Sequence, residues 1–209
     1  GGIRSISDVH AAFKNGADKV TLCTAAGKNP ELLSMVSDSY GNQAVVAHVD
    51  FKREGNEFMV YLNGGKEETG LSVVEYAGIL SNYDFGELSL QSIDRDGMGN
   101  GLEVDLIKQV KELVSQPVIA MGGTGSHAHV HEAFSAGAAD AIAVGNMLHF
   151  TEHSVAKIKI ALSREGHEDR LNESFSYAES SFDQRLRLER KDSAELERLK
   201  YVRHEPEFI

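Results

Sequence analysis

Three charged residues stand together at the end of SLQSIDRDGMGNG, residues 89–101, where Asp94, Arg95 and Asp96 follow an apolar run and precede a glycine-rich turn. Packing alone does not require them. Hydrogen bonding to a polar substrate is one use; an ion pair that shapes the loop is the other. Asp50 also follows an apolar approach, in AVVAHVDFK, and a carboxylate there suits either general acid/base chemistry or loop capping. Gly122-Gly123-Thr124-Gly125 lies between the apolar PVIAM and a helical pattern. Close backbone approach and helix N-terminal N–H groups at such a turn can cradle an anion, although a tight turn alone would also use these glycines.

The glycine turn occurs twice. GGIRSISDVHAAFKNGA at 1–17 and GGTGSHAHVHEAFSAGA at 122–138 align without a gap and agree at nine of seventeen positions: Gly1/Gly122, Gly2/Gly123, Ser5/Ser126, Val9/Val130, His10/His131, Ala12/Ala133, Phe13/Phe134, Gly16/Gly137 and Ala17/Ala138. Each copy leads to a strand that ends in a small polar patch, Cys23-Thr24-Ala25 in one and Gly145-Asn146 in the other. Two facing anion sites, spanned by a substrate with two phosphates, would account for the duplication. His127, His129 and His131 do not form a metal set, because i and i+2 do not face each other on a helix and no matching Cys or acidic ligands accompany them. His131 has a counterpart in His10, which favours a shared structural position. Nothing near Cys23 in the sequence implies a lowered pKa, so a nucleophilic role is disfavoured.

The elements that must position these residues alternate. Helix 7–15 precedes strand 18–24; a helix beginning at Asn29-Pro30 and stopping at Gly41 precedes strand 44–52. FMVYL, 58–62, reads as a hairpin arm inserted in the next loop. Helix 71–81, strand 87–92, helix 103–115, strand 117–121, helix 126–136, strand 140–145 and helix 151–164 follow. Five strands linked by helices imply right-handed parallel βαβ units. Polar or glycine-rich turns after several strands favour a (β/α)8 barrel over an open doubly wound sheet. Five strands do not close such a barrel, so the first two to three βα units are expected before Gly1. Residues 1–165 are expected to form this partial barrel domain, and 166–209 a charged C-terminal extension. Within the extension, residues 183–201 have the pattern of a charged, weakly amphipathic helix, and the tail from about 170 reads either as a solvated extension or as a docking arm.

Composition narrows the function. The 209 residues carry 21 Lys and Arg against 32 Asp and Glu, a formal net charge of −11. No general nucleic-acid binder is expected, because neutralising phosphates needs a basic surface. No apolar run approaches the roughly 18 residues of a membrane span, and the single cysteine permits no intrachain disulfide. A cytoplasmic protein is the simplest expectation.

GADKVTLCTAA, NQAVVAHVDFKREGNEFMVYLNGGKEETG, GELSLQSIDRDGMGNG, PVIAMGGTGS and the HF of MLHF resemble the cyclase subunit family of imidazole glycerol phosphate synthase, in order and spacing over residues 1 to about 165. The resemblance implies an eight-stranded βα barrel of two similar halves that binds a substrate with a phosphate at each end. It implies a lyase of histidine biosynthesis without a cofactor. A partner glutaminase would form a heterodimer with it and pass ammonia through the barrel to N'-phosphoribulosyl-formimino-AICAR phosphate, giving imidazole glycerol phosphate and AICAR. Asp50 falls on one of the family's two catalytic aspartates; the other is expected before residue 1. Gly2 and Thr24 fall on one phosphate site, and Gly97, Gly123 and Asn146 on the other. Ser92, Asp96 and Gly145 fall at the substrate. Lys19 and Glu87 match the ammonia gate, and Asp18 and Gln43 match positions beside the glutaminase.

The sequence departs from the family at Cys23 in place of Asn, Gly64 in place of Ser, Gln91 in place of Thr and Asn146 in place of Ser. These positions concern the substrate pocket more than the gate. They also suit a branch that resembles this subunit and amidates a surface-polysaccharide sugar. The sister isomerase of histidine synthesis and a non-catalytic, glutaminase-activating scaffold are the other readings.

Overall fold

The computed structural model describes residues 2–167, 181–190 and 192–194. Helix α1 (Ile6–Lys14) begins at Ser5, whose hydroxyl accepts from the Asp8 amide while the Asp8 carboxylate accepts from the Ser5 amide. This reciprocal cap satisfies two otherwise orphaned donors. Strand β1 (Val20–Leu22) leads into a short helix α2 (Thr24–Lys28) and then α3 (Glu31–Tyr40). Strand β2 (Val45–Glu54) continues antiparallel into β3 (Glu57–Leu62) and β4 (Glu67–Ser72). Helix α4 (Val73–Leu80) starts on a second reciprocal cap, Ser72 with Glu75. Then come β5 (Glu87–Ser92), α5 (Val104–Lys111), β6 (Val118–Met121), α6 (His127–Ser135), β7 (Ala141–Ile142), a 3-10 turn (Asn146–His149) and α7 (Ser154–Arg164).

The parallel strands run in the order β1, β2, β5, β6, β7. This is an α/β fold whose parallel sheet is consistent with a TIM barrel. One edge of β2 is shared: its first residues pair with β1, and from Asp50 onward it pairs with β3. Side chains alternate along each strand. Val45, Ala47, Val49 and Phe51, with Leu88, Leu90, Val118 and Ala120, are buried together with Leu33, Val36, Ile107 and Val110 of the helices. Burying one such aliphatic side chain contributes roughly 1.5–3 kcal/mol, so this layer is a large favourable term in folding. The opposite face carries Thr21, Val46, His48, Asp50, Glu87, Ser89, Gln91, Ile119 and Met121, placed side by side by the register.

The sequence repeat is also a conformational repeat. Gly2 and Gly123 have φ of 100° and 99°, and the helix-capping Ser5 and Ser126 have φ/ψ of −144°/165° and −153°/165°. Cys23 and Gly145, which precede the two short helical turns, also share an unusual geometry, at −106°/−88° and −131°/−77°.

Several sequence expectations need correction. FMVYL is one arm of a complete hairpin: Glu67–Ser72 is a strand, and α4 begins only at Val73 rather than 71. EETGLS lacks strand-like alternation, and its place comes from pairing with β3. The expected strand 140–145 contracts to Ala141–Ile142, and helix 151–164 begins at Ser154. Residues 183–190 are not helical. A bridge between Phe182 and Leu188 closes a turn there, held to the end of α7 by Arg164, which donates to the Phe182 and Asp183 carbonyls. Residue 191 and residues 195–201 lie outside the described residues.

Candidate active site at the ends of the parallel strands

All the substrate-side residues singled out in the sequence lie beyond or near the C-terminal ends of parallel strands, while the four proposed gate and docking residues lie at the opposite ends. This polarity follows from the βα order, because each strand ends into the loop that carries its polar residues.

Asp50 does not end its strand. β2 continues to Glu54, because pairing with β3 prolongs it past the point where pairing with β5 stops. Both carboxylate oxygens of Asp50 are engaged. Oδ1 lies 3.0 Å from His48 Nε2, and Oδ2 accepts from Cys23 Sγ at 3.5 Å. The Asp50 side chain is only 16% exposed, and it lines a cavity of about 310 Å³ with Gly2, Arg4, Thr21, Cys23, Thr24, Asn63 and Gly64. Thr24 is buried, and its hydroxyl accepts from the Asn63 amide at 3.0 Å, tying the loop after β3 to the loop after β1. The carboxylate, a glycine turn and a threonine thus share one pocket.

Burial pushes the Cys23 thiol up to about 12, and the Asp50 charge adds to the shift. Cys23 is therefore a protonated donor, not a nucleophile. Relative to an ordinary value of 9.0, its thiolate population is about 1,000-fold smaller at neutral pH. Iodoacetamide is expected to alkylate this only cysteine of the chain about 1,000-fold more slowly in the folded protein than after unfolding in denaturant; equal rates would contradict the part-buried Cys23–Asp50 contact. Because the folded state holds this proton more tightly, the associated stabilisation is intact below pH 9 and is lost as pH rises toward about 12.

The SIDRDG charges divide their tasks. Asp94 Oδ2 accepts from the Arg53 amide at 2.8 Å. Arg95 donates to Glu103 at 2.6 Å and to the Gly101 carbonyl at 3.1 Å, and Glu103 also pairs with Arg53 at 3.4 Å. Asp94 thus fastens the loop after β5 to the end of β2, and Arg95 braces that loop internally. Asp96 is left at the exposed mouth, with Gln91 Nε2 donating to it at 3.3 Å. Ser92 is buried at the end of β5.

Asn146 Nδ2 donates to the Gly97 carbonyl at 3.0 Å, and the Gly101 amide donates to the Gly123 carbonyl at 2.8 Å, so the loops after β5, β6 and β7 meet. Gly145 is exposed beside Asn146. A Cβ on Gly123 would collide with the Gly101 carbonyl, whereas one on Gly2 meets open space. Among the described residues, the Thr124 hydroxyl is a buried polar group without a partner in the chain. The N-terminus of α6 has no side-chain cap, unlike that of α1. This leaves backbone N–H groups there available to an anion.

At the opposite strand ends, Lys19 Nζ meets Glu87 Oε1 at 2.6 Å, with Glu87 level with Val46. Asp18 and Gln43 are exposed nearby in sequence, and Gln43 donates to the Tyr40 carbonyl at 3.1 Å. The three histidines separate: His129 Nδ1 accepts from the Gly125 amide and His131 meets His167, while His127 is exposed.

Residues 1–154 match a family described as histidine biosynthesis protein. The chain belongs to this histidine biosynthesis family. Its relatives include the imidazole glycerol phosphate synthase subunit HisF of Pyrobaculum aerophilum, 43% identical over 171 residues, or 82% of this chain and 67% of that protein. The HisF subunit of Myxococcus xanthus is 44% identical over 166 residues, covering 79% of this chain and 66% of the relative. That of Chloroherpeton thalassium is 40% identical over 166 residues, with the same coverage. The chain spans about two thirds of the length of the curated relatives it matches.

Within this family member the sequence reading missed two residues. Asn63 became visible only when the hairpin brought it to Thr24. His48 was legible: two residues before Asp50 on a strand, it had to share Asp50's face. The approach to Asp50 is therefore not purely apolar.

Proposed function

We propose that this protein is the cyclase subunit of imidazole glycerol phosphate synthase, with the described sheet forming five staves of a (β/α)8 barrel of two similar halves. The observation that carries the reading is Asp50, a carboxylate fixed in the wall of a cavity that also presents Gly2 and Thr24. In this reading Gly2 and Thr24 hold one phosphate of N'-phosphoribulosyl-formimino-AICAR phosphate. Gly97, Gly123 and Asn146, beside the uncapped α6 N-terminus, hold the other. Ser92, Asp96 and Gly145 orient the substrate between them. Asp50 takes and returns protons as ammonia closes the imidazole ring and AICAR leaves.

Ammonia reaches this mouth from a glutaminase docked at the opposite rim, beside Asp18 and Gln43, through the Lys19–Glu87 gate. The Lys19–Glu87 pair is partly exposed, and such pairs contribute about 0–1 kcal/mol to stability. Its removal therefore tests coupling rather than folding. Lys19→Ala is expected to lower glutamine-dependent product formation severalfold while sparing the ammonium-dependent rate. Equal losses in both assays would remove Lys19 from the gate. The function itself is tested by mixing the protein with the glutaminase subunit, glutamine and the ribulosyl substrate. Imidazole glycerol phosphate is expected. Stimulated glutamine hydrolysis without product would instead establish a scaffold.

Cys23 against Asp50, with Gln91 against Asp96, favours a second reading in which ammonia delivery is kept and the acceptor is a sugar to be amidated. An assay with a nucleotide-activated keto-sugar in place of the ribulosyl substrate separates the two.

A further inference from the structure

We infer that His48 is a positioning residue for Asp50, holding the carboxylate from inside the sheet face so that its proton-transfer geometry is set before substrate binds; the inference rests on the reading of Asp50 as the proton-transfer group. His48 and Asp50 are separated by one residue in β2, so both project to the same face, His48 one layer deeper. The imidazole Nε2 lies 3.0 Å from Asp50 Oδ1, and the His48 and Asp50 side chains are only 13% and 16% exposed. Asp50 lines the cavity; His48 is not among its lining residues. The histidine thus reaches the reacting groups only through Asp50.

The neighbours leave this contact unchallenged. Ser89, opposite His48 in β5, turns its hydroxyl to Met121 Sδ at 3.1 Å. Lys19 and Glu87, lower on the same face, are occupied with each other. Cys23 Sγ holds the second carboxylate oxygen at 3.5 Å. Each carboxylate oxygen of Asp50 thus has its own anchor, and His48 supplies the shorter of the two contacts. Misplacement of a catalytic group by about 1 Å can cost on the order of 100-fold in rate, so one lost anchor has a readable effect.

His48→Ala is expected to lower ammonium-dependent kcat about 10- to 100-fold, with KM changed less than about twofold, because the lost interaction acts on the transition state rather than on substrate binding. His48→Gln, whose amide can still donate, is expected to recover much of kcat. A mere packing role would lower thermal stability without this split or this rescue. Unchanged kcat in an active His48→Ala protein, or a Gln variant no better than Ala, would overturn the inference. The contact also has a readout independent of activity. In imidazole 15N NMR of this chain, the Nε2–H resonance of His48 is expected to shift when Asp50 is replaced by Ala. An identical His48 spectrum in both proteins would overturn the inference even if no turnover is found. Absence of wild-type product, with the expected NMR shift, would count against the cyclase reading and for the His48–Asp50 pair.

Discussion

Asp50→Asn is expected to reduce ammonium-dependent cyclisation by about 10²–10⁴-fold, the range that a positioned general acid/base contributes. The substitution keeps the size and planarity of the side chain, so the cavity formed with Gly2, Cys23 and Thr24 should persist. What disappears is the ability to accept a proton at one oxygen while Cys23 and His48 hold the group in place. Affinity for the glutaminase should remain unchanged. The Lys19–Glu87 pair lies at the other end of the strands, with Glu87 level with Val46 and the layer of His48 and Ser89 between it and Asp50. Steady-state rates and a binding titration on the same preparation check both halves. Retained ammonium-dependent activity would remove Asp50 from the proton-transfer role, while lost partner binding would show that the variant disturbs more than chemistry.

Gly123→Ala should be the most damaging of the small substitutions in the glycine turns. Gly123 has a φ of 99°, and a Cβ there collides with the Gly101 carbonyl, a backbone atom that cannot swing away. The left-handed backbone costs an L-residue about 1–2 kcal/mol, and overpacking adds about 1–3 kcal/mol. The sum, about 2–5 kcal/mol, corresponds to a fall in Tm on the order of 10 °C for a chain of this size. Gly2→Ala, at the matching position of the repeat, has the same φ penalty and no collision. It should cost no more than about 1–2 kcal/mol. Thermal denaturation of the two variants side by side tests the comparison; equal losses would contradict the loop packing between Gly101 and Gly123.

The asymmetry explains why the repeat was legible in sequence only as a repeat. Identity at Gly2/Gly123 and Ser5/Ser126 encodes matching dihedral angles, and these recur almost unchanged. The sequence does not encode what each turn touches, because Gly101 and Gly99 come from a loop that folding brings to Gly123 and Gly125. The βα alternation could be read because apolar periodicity is local. Strand β4 could not, since Glu67–Ser72 is placed by cross-strand pairing with β3 rather than by its own pattern. At the site, the conspicuous Asp94 and Arg95 proved to be loop fasteners, while Asp96 of that trio is exposed and accepts from Gln91. His48 carried a usable signal, its even spacing from Asp50, that an apolar reading of AVVAHVDFK obscured.

In the proposed function, a carboxylate held beside paired anion sites closes an imidazole ring with ammonia. The direct measurement is product analysis after incubating the protein with ammonium salt and N'-phosphoribulosyl-formimino-AICAR phosphate, without any glutaminase. Imidazole glycerol phosphate and AICAR are expected in equal amounts, formed by the wild-type protein and not by Asp50→Asn. Unconsumed substrate with wild-type protein would contradict that function.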